Sequence, residues 1–492
     1  MTLPASAHRP GRRETLVAGA ALAVLWLALW LAGYPRPNVD DGFFSGAAIE
    51  LATTGRLYNP WIQGWFGYLP GAHADKFLIQ PPLFPLMQAA WLKVFGVSTA
   101  SLTAWGCSVG WATSCITWQL FRRVGAGAVA AGLAVVVLGS AMLFRGLRPE
   151  PLALLCTVGS QYCLLRWRTS PGWLAGGLLG SAAVICHPLW LILVVPATLV
   201  QIFHLRGTAA PWRGPLAGLA AGIGLAGGGL VVGLGADFMP FVNDLGIHAR
   251  FVAPTGTRLG IFLRHFSVGY DFYVNLAVVT LAIGCLGWSR PVAWPAILGW
   301  LGLLGLGFFL YAAQSTLYLV LTGALLPLLG FTRQPGWRRA LGFAPAVILA
   351  SWYLAQHTLQ CLADRQHDAR PQRGAVLAYL AEARPDQVLF DTTTLRTIFD
   401  YRPPPGAQDL GWAWSPGRSD RWWSPRHLAS RDLWVANPVW SHVRLPDEAY
   451  RHRFMLGGRA LASVRSSQAL LLVLGADLPA PRGLPFIRSA SR

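Results

Sequence analysis

Long apolar segments separated by short polar links dominate the first 356 residues of the chain. A helix needs about 20 apolar residues to cross the hydrocarbon core of a bilayer. The pattern therefore predicts about 11 transmembrane helices, with the fifth and sixth divided at His187-Pro188. The predicted spans lie near residues 15–33, 103–121, 126–144, 150–166, 172–187, 188–205, 215–235, 272–288, 292–311, 317–331 and 340–356.

Composition and charge support a membrane protein. The chain is 54% hydrophobic and only 12% charged, with a mean hydropathy of +0.43, whereas soluble proteins carry about a quarter charged residues. The net charge of +19 comes largely from arginines in the short links, a pattern typical of cytoplasmic loops rather than of nucleic-acid binding. The arginines concerned are Arg13, Arg122, Arg123, Arg166, Arg168, Arg206, Arg213, Arg333, Arg338 and Arg339.

This charge bias also predicts an orientation. With the N-terminus in the cytoplasm, an odd number of spans places the C-terminus outside. The first apolar run reaches spanning length and lacks a convincing small-residue cleavage site, so we expect a retained helix rather than a removed signal peptide. The outer side would then hold the loop 34–102, the link around 145–150, the loop 236–271 and the tail 357–492.

The sequence predicts two domains of different character. Residues 1–356, including the outer loop 34–102, form an all-α polytopic membrane domain. Charge and proline content rise in residues 357–492, where short apolar strands at 387–391, 433–436 and 469–474 and a helix at 376–383 predict a small α/β extracytoplasmic C-terminal domain. The cysteines have no metal-ligand or redox spacing and are expected to be apolar core residues.

The outer loop 34–102 carries the most informative residues. Asp40 and Asp41 are adjacent acids directly after the first span, and acids at such a position are costly unless they have a function or a partner. Aromatic residues in the same loop suit either an interfacial helix, which we favour, or a wall facing a sugar. These aromatic residues are Tyr58, Trp61, Trp65, Phe66 and Tyr68.

An ordered set of motifs in this loop resembles the first outer loop of the GT-C membrane glycosyltransferases. The set is most similar to the bacterial protein O-mannosyltransferase-like enzymes and the aminoarabinose transferases of lipid A. It comprises Asp40-Asp41-Gly42-Phe43-Phe44, then 48–55, then Gln80-Pro81-Pro82-Leu83, and finally 91–96. Weaker similarities follow at Arg148-Pro149-Glu150, at His187-Pro188 and at 314–318 up to Pro327.

The resemblance implies an enzyme that moves a sugar from a polyprenyl-phosphate donor to an acceptor outside the bacterial cytoplasmic membrane, with inversion. It makes Asp40 the base that takes the acceptor proton, Asp41 its neighbour, and Glu150 the second acid. Because two adjacent carboxylates in an apolar site cannot both ionise freely, we expect the pKa of one to rise. The candidates for the donor phosphate are Lys76, Gln80, Arg148, His187 and Tyr318.

One position departs from the family pattern. The family often has a lysine directly before Pro-Pro-Leu, and here Gln80 occupies that position while Lys76 lies four residues earlier. Lys76, or an arginine at 250, 258 or 264, would have to take over the phosphate contact.

Each candidate also has a structural alternative. Asp40-Asp41 would suit a solvated helix N-terminus, and Arg148 and Glu150 would suit an ion pair at a helix end. His187 would suit a turn, and Lys76 and Tyr318 would suit the membrane interface. We expect no tightly bound cofactor and no metal site, because the histidines and acids lack ligand spacing, although metal dependence stays open.

Two other classes of function remain. A transporter of lipid-linked sugars also needs charge within the membrane, but these acids are at predicted helix ends and no internal repeat is found. A non-catalytic partner of a transferase would keep the fold without needing the acids. The sequence does not identify the sugar or choose among glycan, lipid and protein acceptors.

Overall fold

The computed structural model describes most of the helical N-terminal half and part of the tail. The described residues are 11–35, 41–61, 76–78, 80–123, 127–145, 147–206, 212–252, 355, 359, 369–409, 431–436, 462–467, 470–474, 477–479, 481 and 487–488. Element labels below number the helices and strands of these residues in chain order. The predicted spans at 272–288, 292–311, 317–331 and 340–356 lie almost wholly outside them.

Helices make up the described part of the N-terminal half. Their bounds are α1 Arg12–Leu31, α2 Asp41–Thr54, α3 Leu83–Phe95, α4 Thr99–Arg123, α5 Ala128–Arg145, α6 Pro149–Arg166, α7 Ser170–Cys186, α8 Leu191–Arg206, α9 Arg213–Leu234 and α10 Phe238–Val252. The first seven predicted spans each coincide with one of α1 and α4 to α9. The predicted division at His187-Pro188 is confirmed, because α7 ends at Cys186 and a short 3-10 turn, Pro188–Trp190, precedes α8.

Exposed apolar side chains on α1 and α9 fit a lipid environment. On α1, Leu16, Val24 and Leu31 are 63%, 67% and 73% exposed, and on α9 Val232 is 82% exposed. Such surface is unfavourable in water. Within the described residues, the helical stretches Arg12–Leu31 and Arg213–Gly246 are long and apolar enough to cross a membrane.

Small residues allow close packing between α7 and α9. A Cβ atom placed on Gly222 would lie 2.3 Å from the carbonyl oxygen of Leu174, and one on Gly218 would lie 2.2 Å from that of Ser170. No side chain fits at those distances. Close backbone approach through glycines four residues apart is typical of helix pairs in membranes, where van der Waals packing largely replaces the hydrophobic effect.

The described part of the tail contains a mixed α/β unit. Its helices are α11 Arg373–Ala383 and α12 Thr392–Thr397, and its strands are β1 Gln387–Phe390, β2 Gln408–Asp409, β3 Asp432–Ala436, β4 Ala462–Ser467, β5 Leu470–Leu474 and β6 Ile487–Arg488. The strand order is β2-β1-β3-β5-β4-β6, with β1 parallel to β2 and β3 and the other pairs antiparallel. The predicted helix and three predicted strands are thereby confirmed.

Helix α12 and the loop after it attach the tail to the helical part. Asp391 caps α12 in a reciprocal capping box with Thr394. From α12, Arg396 donates hydrogen bonds to the carbonyl oxygens of Gly33 and Pro35, just beyond α1. Asp400 accepts a 2.7 Å bond from the backbone N–H of Thr99, at the start of α4. The tail therefore lies over the end of the bundle where α1 ends and α4 begins.

Candidate functional site

Helix α2 begins with a fully buried acid. Asp41 is its first residue, where the helix dipole favours a negative charge, and its relative exposure is 0%. Asn59 ties the following loop back to this turn by donating from Nδ2 to the carbonyl oxygens of Gly42 (3.1 Å) and Phe43 (2.8 Å). The start of α2 is thus buried and fixed. It is not the solvated helix N-terminus that was considered for Asp41 as an alternative to a catalytic role.

A second buried acid lies at the start of α6. Pro149 is the first helical residue, a position that favours proline, and Glu150 lies in the first turn with 0% exposure. Arg148 precedes the helix and pairs with Glu150 at 2.8 Å between Nη2 and Oε1. The helix-end ion pair expected as a structural alternative is therefore present, and both partners are largely buried.

Arg148 also connects the two acidic helix starts. Its guanidinium carbon lies 5.6 Å from the ring centroid of Phe44, a favourable cation–π distance. Phe44 is three residues after Asp41, within one turn of α2. Residues more than a hundred positions apart in the chain therefore meet at one place.

His187 lies at the same end of the bundle as Glu150. The link between α6 and α7 is short, so the two helices are antiparallel neighbours, and the end of α7 returns to the start of α6. His187 is buried, and its ring lies 6.2 Å from that of Trp190 in an edge-on arrangement.

Lys76 is near α2 but has an acidic partner. Its Nζ lies 2.7 Å from Oδ1 of Asp237, directly after α9, in a partly exposed pair. The neighbouring Phe77 packs edge-on against Phe43, with centroids 5.4 Å apart. A phosphate contact by Lys76 would therefore compete with the carboxylate of Asp237.

Three other predicted site residues have little or no described geometry. Gln80 is half-buried before Pro81-Pro82. Asp40 and Tyr318 lie outside the described residues. The roles proposed for them stay predictions.

Two buried polar residues were missed by the sequence analysis. Ser45 on α2 and Gln88 on α3 are both 0% exposed, and their side-chain polar atoms have no hydrogen-bond partner among the described residues. Buried polar groups are normally hydrogen-bonded. Neither residue belongs to a recognisable motif, so only the helix packing indicates that they are unusual.

The aromatic residues of the outer loop are not all interfacial. Tyr58 and Trp61 are buried in protein, and the ring of Trp61 contacts Phe390 of strand β1 edge-on, with centroids 6.1 Å apart. The expectation of interfacial anchoring is therefore wrong for these two residues, because both are buried in protein and the tail covers Trp61. Trp65, Phe66 and Tyr68 lie outside the described residues.

A cleft of about 470 Å³ opens between α2, α3 and the tail. Trp61 and Tyr401 contribute aromatic surface, and Glu50, Lys93 and Arg402 contribute charge. Tyr401 has a left-handed backbone conformation, with φ of 58°, which is rare for a bulky residue. The volume is within the range of small-ligand sites.

Within the same described residues, no three His, Cys, Asp or Glu side chains are close enough to hold a metal ion. The five described cysteines, Cys107, Cys115, Cys156, Cys163 and Cys186, are all free thiols.

Comparison with known proteins gives a match in structure only. No protein-family model matches the chain, and no curated protein is significantly similar to it in sequence. The fold is similar to the crystal structure of ArnT from Cupriavidus metallidurans bound to undecaprenyl phosphate. The TM-score is 0.54 at 13% sequence identity, over 96% of this chain and 100% of that chain.

ArnT is a lipid A aminoarabinose transferase of the GT-C family. The resemblance found in the outer loop is therefore confirmed at the level of the fold: this chain has the fold of a GT-C membrane transferase.

Proposed function

We propose that this protein is a membrane glycosyltransferase that moves a sugar from a polyprenyl-phosphate carrier to an acceptor outside the cytoplasmic membrane. The observation that carries the proposal is the burial of Asp41 and Glu150 at two helix starts joined through Arg148. Buried ionisable groups are expensive and accordingly mark functional sites. The ArnT-like fold supports the same class, since that structure contains undecaprenyl phosphate.

The proposed reaction is a single displacement with inversion. A carboxylate of the Asp40-Asp41 pair, with Asp40 as the base, accepts the proton of the acceptor hydroxyl. The hydroxyl oxygen forms a bond to the anomeric carbon while the bond from that carbon to the carrier phosphate oxygen breaks. The products are the glycosylated acceptor and free polyprenyl phosphate, and Asp41 orients the base or the acceptor.

Positive and hydrogen-bonding groups stabilise the departing phosphate. Arg148 is a candidate among the described residues, because a guanidinium suits phosphate and it lies between α2 and α6. Its Nε and Nη2 already contact Glu150, so a phosphate would compete with that carboxylate, as it would with Asp237 at Lys76. His187 adds a second group at the same end of the bundle. Lys76, Gln80 and Tyr318 remain candidates by resemblance.

The cleft between the helices and the tail is our candidate acceptor site. Its lining residues Gly46, Ile49 and Glu50 follow Asp41 along α2, so the cleft starts about 8–14 Å from the acid at 1.5 Å per residue. Trp61 and Tyr401 contribute to its lining aromatic surface of the kind on which sugars pack. We infer that a saccharide acceptor extends from this cleft toward Asp40 and Asp41.

The complete architecture is part of the proposal. We infer about 11 spans in a bacterial inner membrane, with the N-terminus in the cytoplasm and residues 357–492 outside as a separate domain. The described helices are consistent with it, because Asp41, Glu150 and His187 lie at one end of the bundle while Arg122, Arg123 and Arg166 lie at the other.

The test is release of free polyprenyl phosphate by the purified protein across a panel of polyprenyl-phosphate sugars, with a cell-envelope extract as acceptor. We expect release with one donor and a fall of about 10²- to 10⁴-fold in Asp40→Asn. Asp386→Asn, an exposed tail acid paired with Arg431, is the matched control. Near-normal turnover in Asp40→Asn would reject the base, and no release with any donor and extract would favour a transporter or a partner subunit.

A further inference from the structure

A second charged cluster lies at the end of the bundle opposite the acids. Arg123 ends α4 and Arg166 ends α6, and both guanidinium groups lie near the ring of Tyr162. The guanidinium carbons are 5.3 Å and 5.5 Å from the ring centroid. One aromatic ring therefore lies within cation–π distance of two arginines from different helices.

Hydrogen bonds fix the geometry of this cluster. Arg166 donates from Nη1 to the hydroxyl of Tyr162 at 2.6 Å, and that hydroxyl donates to Oε1 of Gln119 at 2.9 Å. The guanidinium of Arg166 also stacks 4.8 Å from the ring of Trp167, which is 40% exposed. Before any ligand arrives, Arg166 is thus held by hydrogen bonds and Arg123 by its contact with the ring of Tyr162, which lowers the entropy cost of binding.

The cluster has no acid to balance it within the described chain. Glu14 is the carboxylate found at this end, and Arg122 takes it at 2.7 Å. Arg123 and Arg166 form no ion pair with a described residue, so no carboxylate among the described residues balances their two positive charges. The positive-inside rule requires only that basic residues are present at the cytoplasmic end of a helix. It does not explain why both arginines contact the same ring.

Distance along α6 places the cluster at a membrane surface. Arg166 follows Glu150 by about 16 residues, or about 24 Å at 1.5 Å per residue, which approaches the thickness of the hydrocarbon core. Exposed tryptophan is typical of the headgroup layer. If α6 spans the bilayer, as the proposed function requires, the cluster lies among the headgroups of the other leaflet.

We propose that Arg123 and Arg166, held by Tyr162, bind the phosphate of an anionic phospholipid in the leaflet opposite the candidate active site. Guanidinium groups match phosphate oxygens through paired hydrogen bonds. The Nη1 group of Arg166 already donates to Tyr162, so the phosphate oxygens would accept from the other N–H groups of the two arginines. Basic sites between spanning helices are known to bind anionic lipid headgroups. The lipid would fasten α4 to α6, the helix that carries Glu150.

The test uses the full-length protein in detergent with dioleoyl phosphatidylglycerol or dioleoyl phosphatidylcholine added. Native mass spectrometry counts the bound lipids, and the thermal midpoint reports stabilisation. We expect retention of phosphatidylglycerol by the unmodified protein and at least a tenfold loss of that retention in R123Q/R166Q. The control R12Q/R13Q removes the same charge from exposed arginines at the same end of the bundle and should retain the lipid.

The control variants distinguish a specific lipid site from diffuse attraction and from a site for free phosphate. Equal losses in both double variants would mean diffuse surface attraction and would overturn the site. Stabilisation by inorganic phosphate equal to that by the lipid would mean a free-phosphate site and would also overturn it. If R123Q/R166Q does not fold, variants of Tyr162 replace it. Tyr162→Leu removes the stacking ring and should lose the lipid, whereas Tyr162→Phe keeps the ring and should retain most of the lipid. Equal lipid retention by these two variants would reject the proposal. Because no donor sugar is present, failure here is distinguishable from failure of glycosyl transfer.

Discussion

Two arginine–glutamate pairs lie at opposite ends of the helix bundle and differ in the burial of one partner. In the pair Arg148–Glu150 the side chains are 13% and 0% exposed, at 2.8 Å. In the pair Arg122–Glu14 they are 12% and 33% exposed, at 2.7 Å. The two guanidinium groups are equally buried. The pairs therefore differ only in the carboxylate, which is fully buried in Glu150 and one-third exposed in Glu14.

Burial of a carboxylate removes its hydration, and one ion pair often fails to repay that loss. The pair at Glu14 keeps water on the acid and avoids this cost. The pair at Glu150 accepts it, and Asp41, Ser45 and Gln88 add further buried polar groups in the same half of the molecule. Burial of so many polar and charged groups at one end of the bundle lowers stability, so a catalytic role explains it better than a structural one.

The largest expected effect is on activity. Asp41→Asn should lower transfer by about 10²-fold or more without loss of folded protein, since Asp41 orients the base or the acceptor and a misplaced reacting group costs about that factor. Donor-dependent release of polyprenyl phosphate measures the rate, and size-exclusion chromatography checks folding. Turnover within a factor of a few of the unmodified enzyme would separate Asp41 from the chemistry.

The next effect is on stability at the same end. Glu150→Gln leaves the Arg148 guanidinium buried without its counter-charge and should cost about 3–5 kcal/mol. The double variant Arg148→Met/Glu150→Leu should recover most of that loss, because both members of the buried pair are then removed. Thermal midpoints of the unmodified protein, Glu150→Gln and the double variant measure the difference. A Glu150→Gln variant as stable as the unmodified protein would show that burial of Arg148 does not require the charge of Glu150.

A smaller gain is expected from Gln88. Replacement by leucine removes a buried amide with no described partner and should stabilise the protein by about 1 kcal/mol. The matched control is Gln161→Leu, since the buried Oε1 of Gln161 accepts from Gln201 at 3.2 Å and its loss should destabilise. Destabilisation by both variants would mean that Gln88 has a structural partner.

The smallest effect is expected at the opposite end. Glu14→Gln should change stability by less than about 1 kcal/mol, because a partly exposed pair gains little over hydrated ions. Comparison of its thermal midpoint with that of Glu150→Gln tests the contrast directly. A cost as large as that of Glu150→Gln would mean that both ends are equally dependent on their ion pairs.

Local patterns account for what the sequence predicted well. The apolar runs gave the positions of α1 and α4 to α9, and Pro188 gave the end of α7. The strands near 387, 433 and 470 were recognisable from short apolar runs. The span predicted from residue 150 matches the start of α6 at Pro149, where proline and Glu150 suit the first helical turn.

The sequence by itself therefore determined seven apolar helices, one tail helix and three tail strands of the described residues, because apolar runs, proline and charge act over a few residues. Only the tertiary structure decided that Arg148 lies over Phe44, that Lys76 pairs with Asp237, and that the tail covers Trp61. It also decided that Arg123 and Arg166 share the ring of Tyr162. Each of these contacts joins distant segments through packing, and no local pattern in the chain encodes which distant segments will meet.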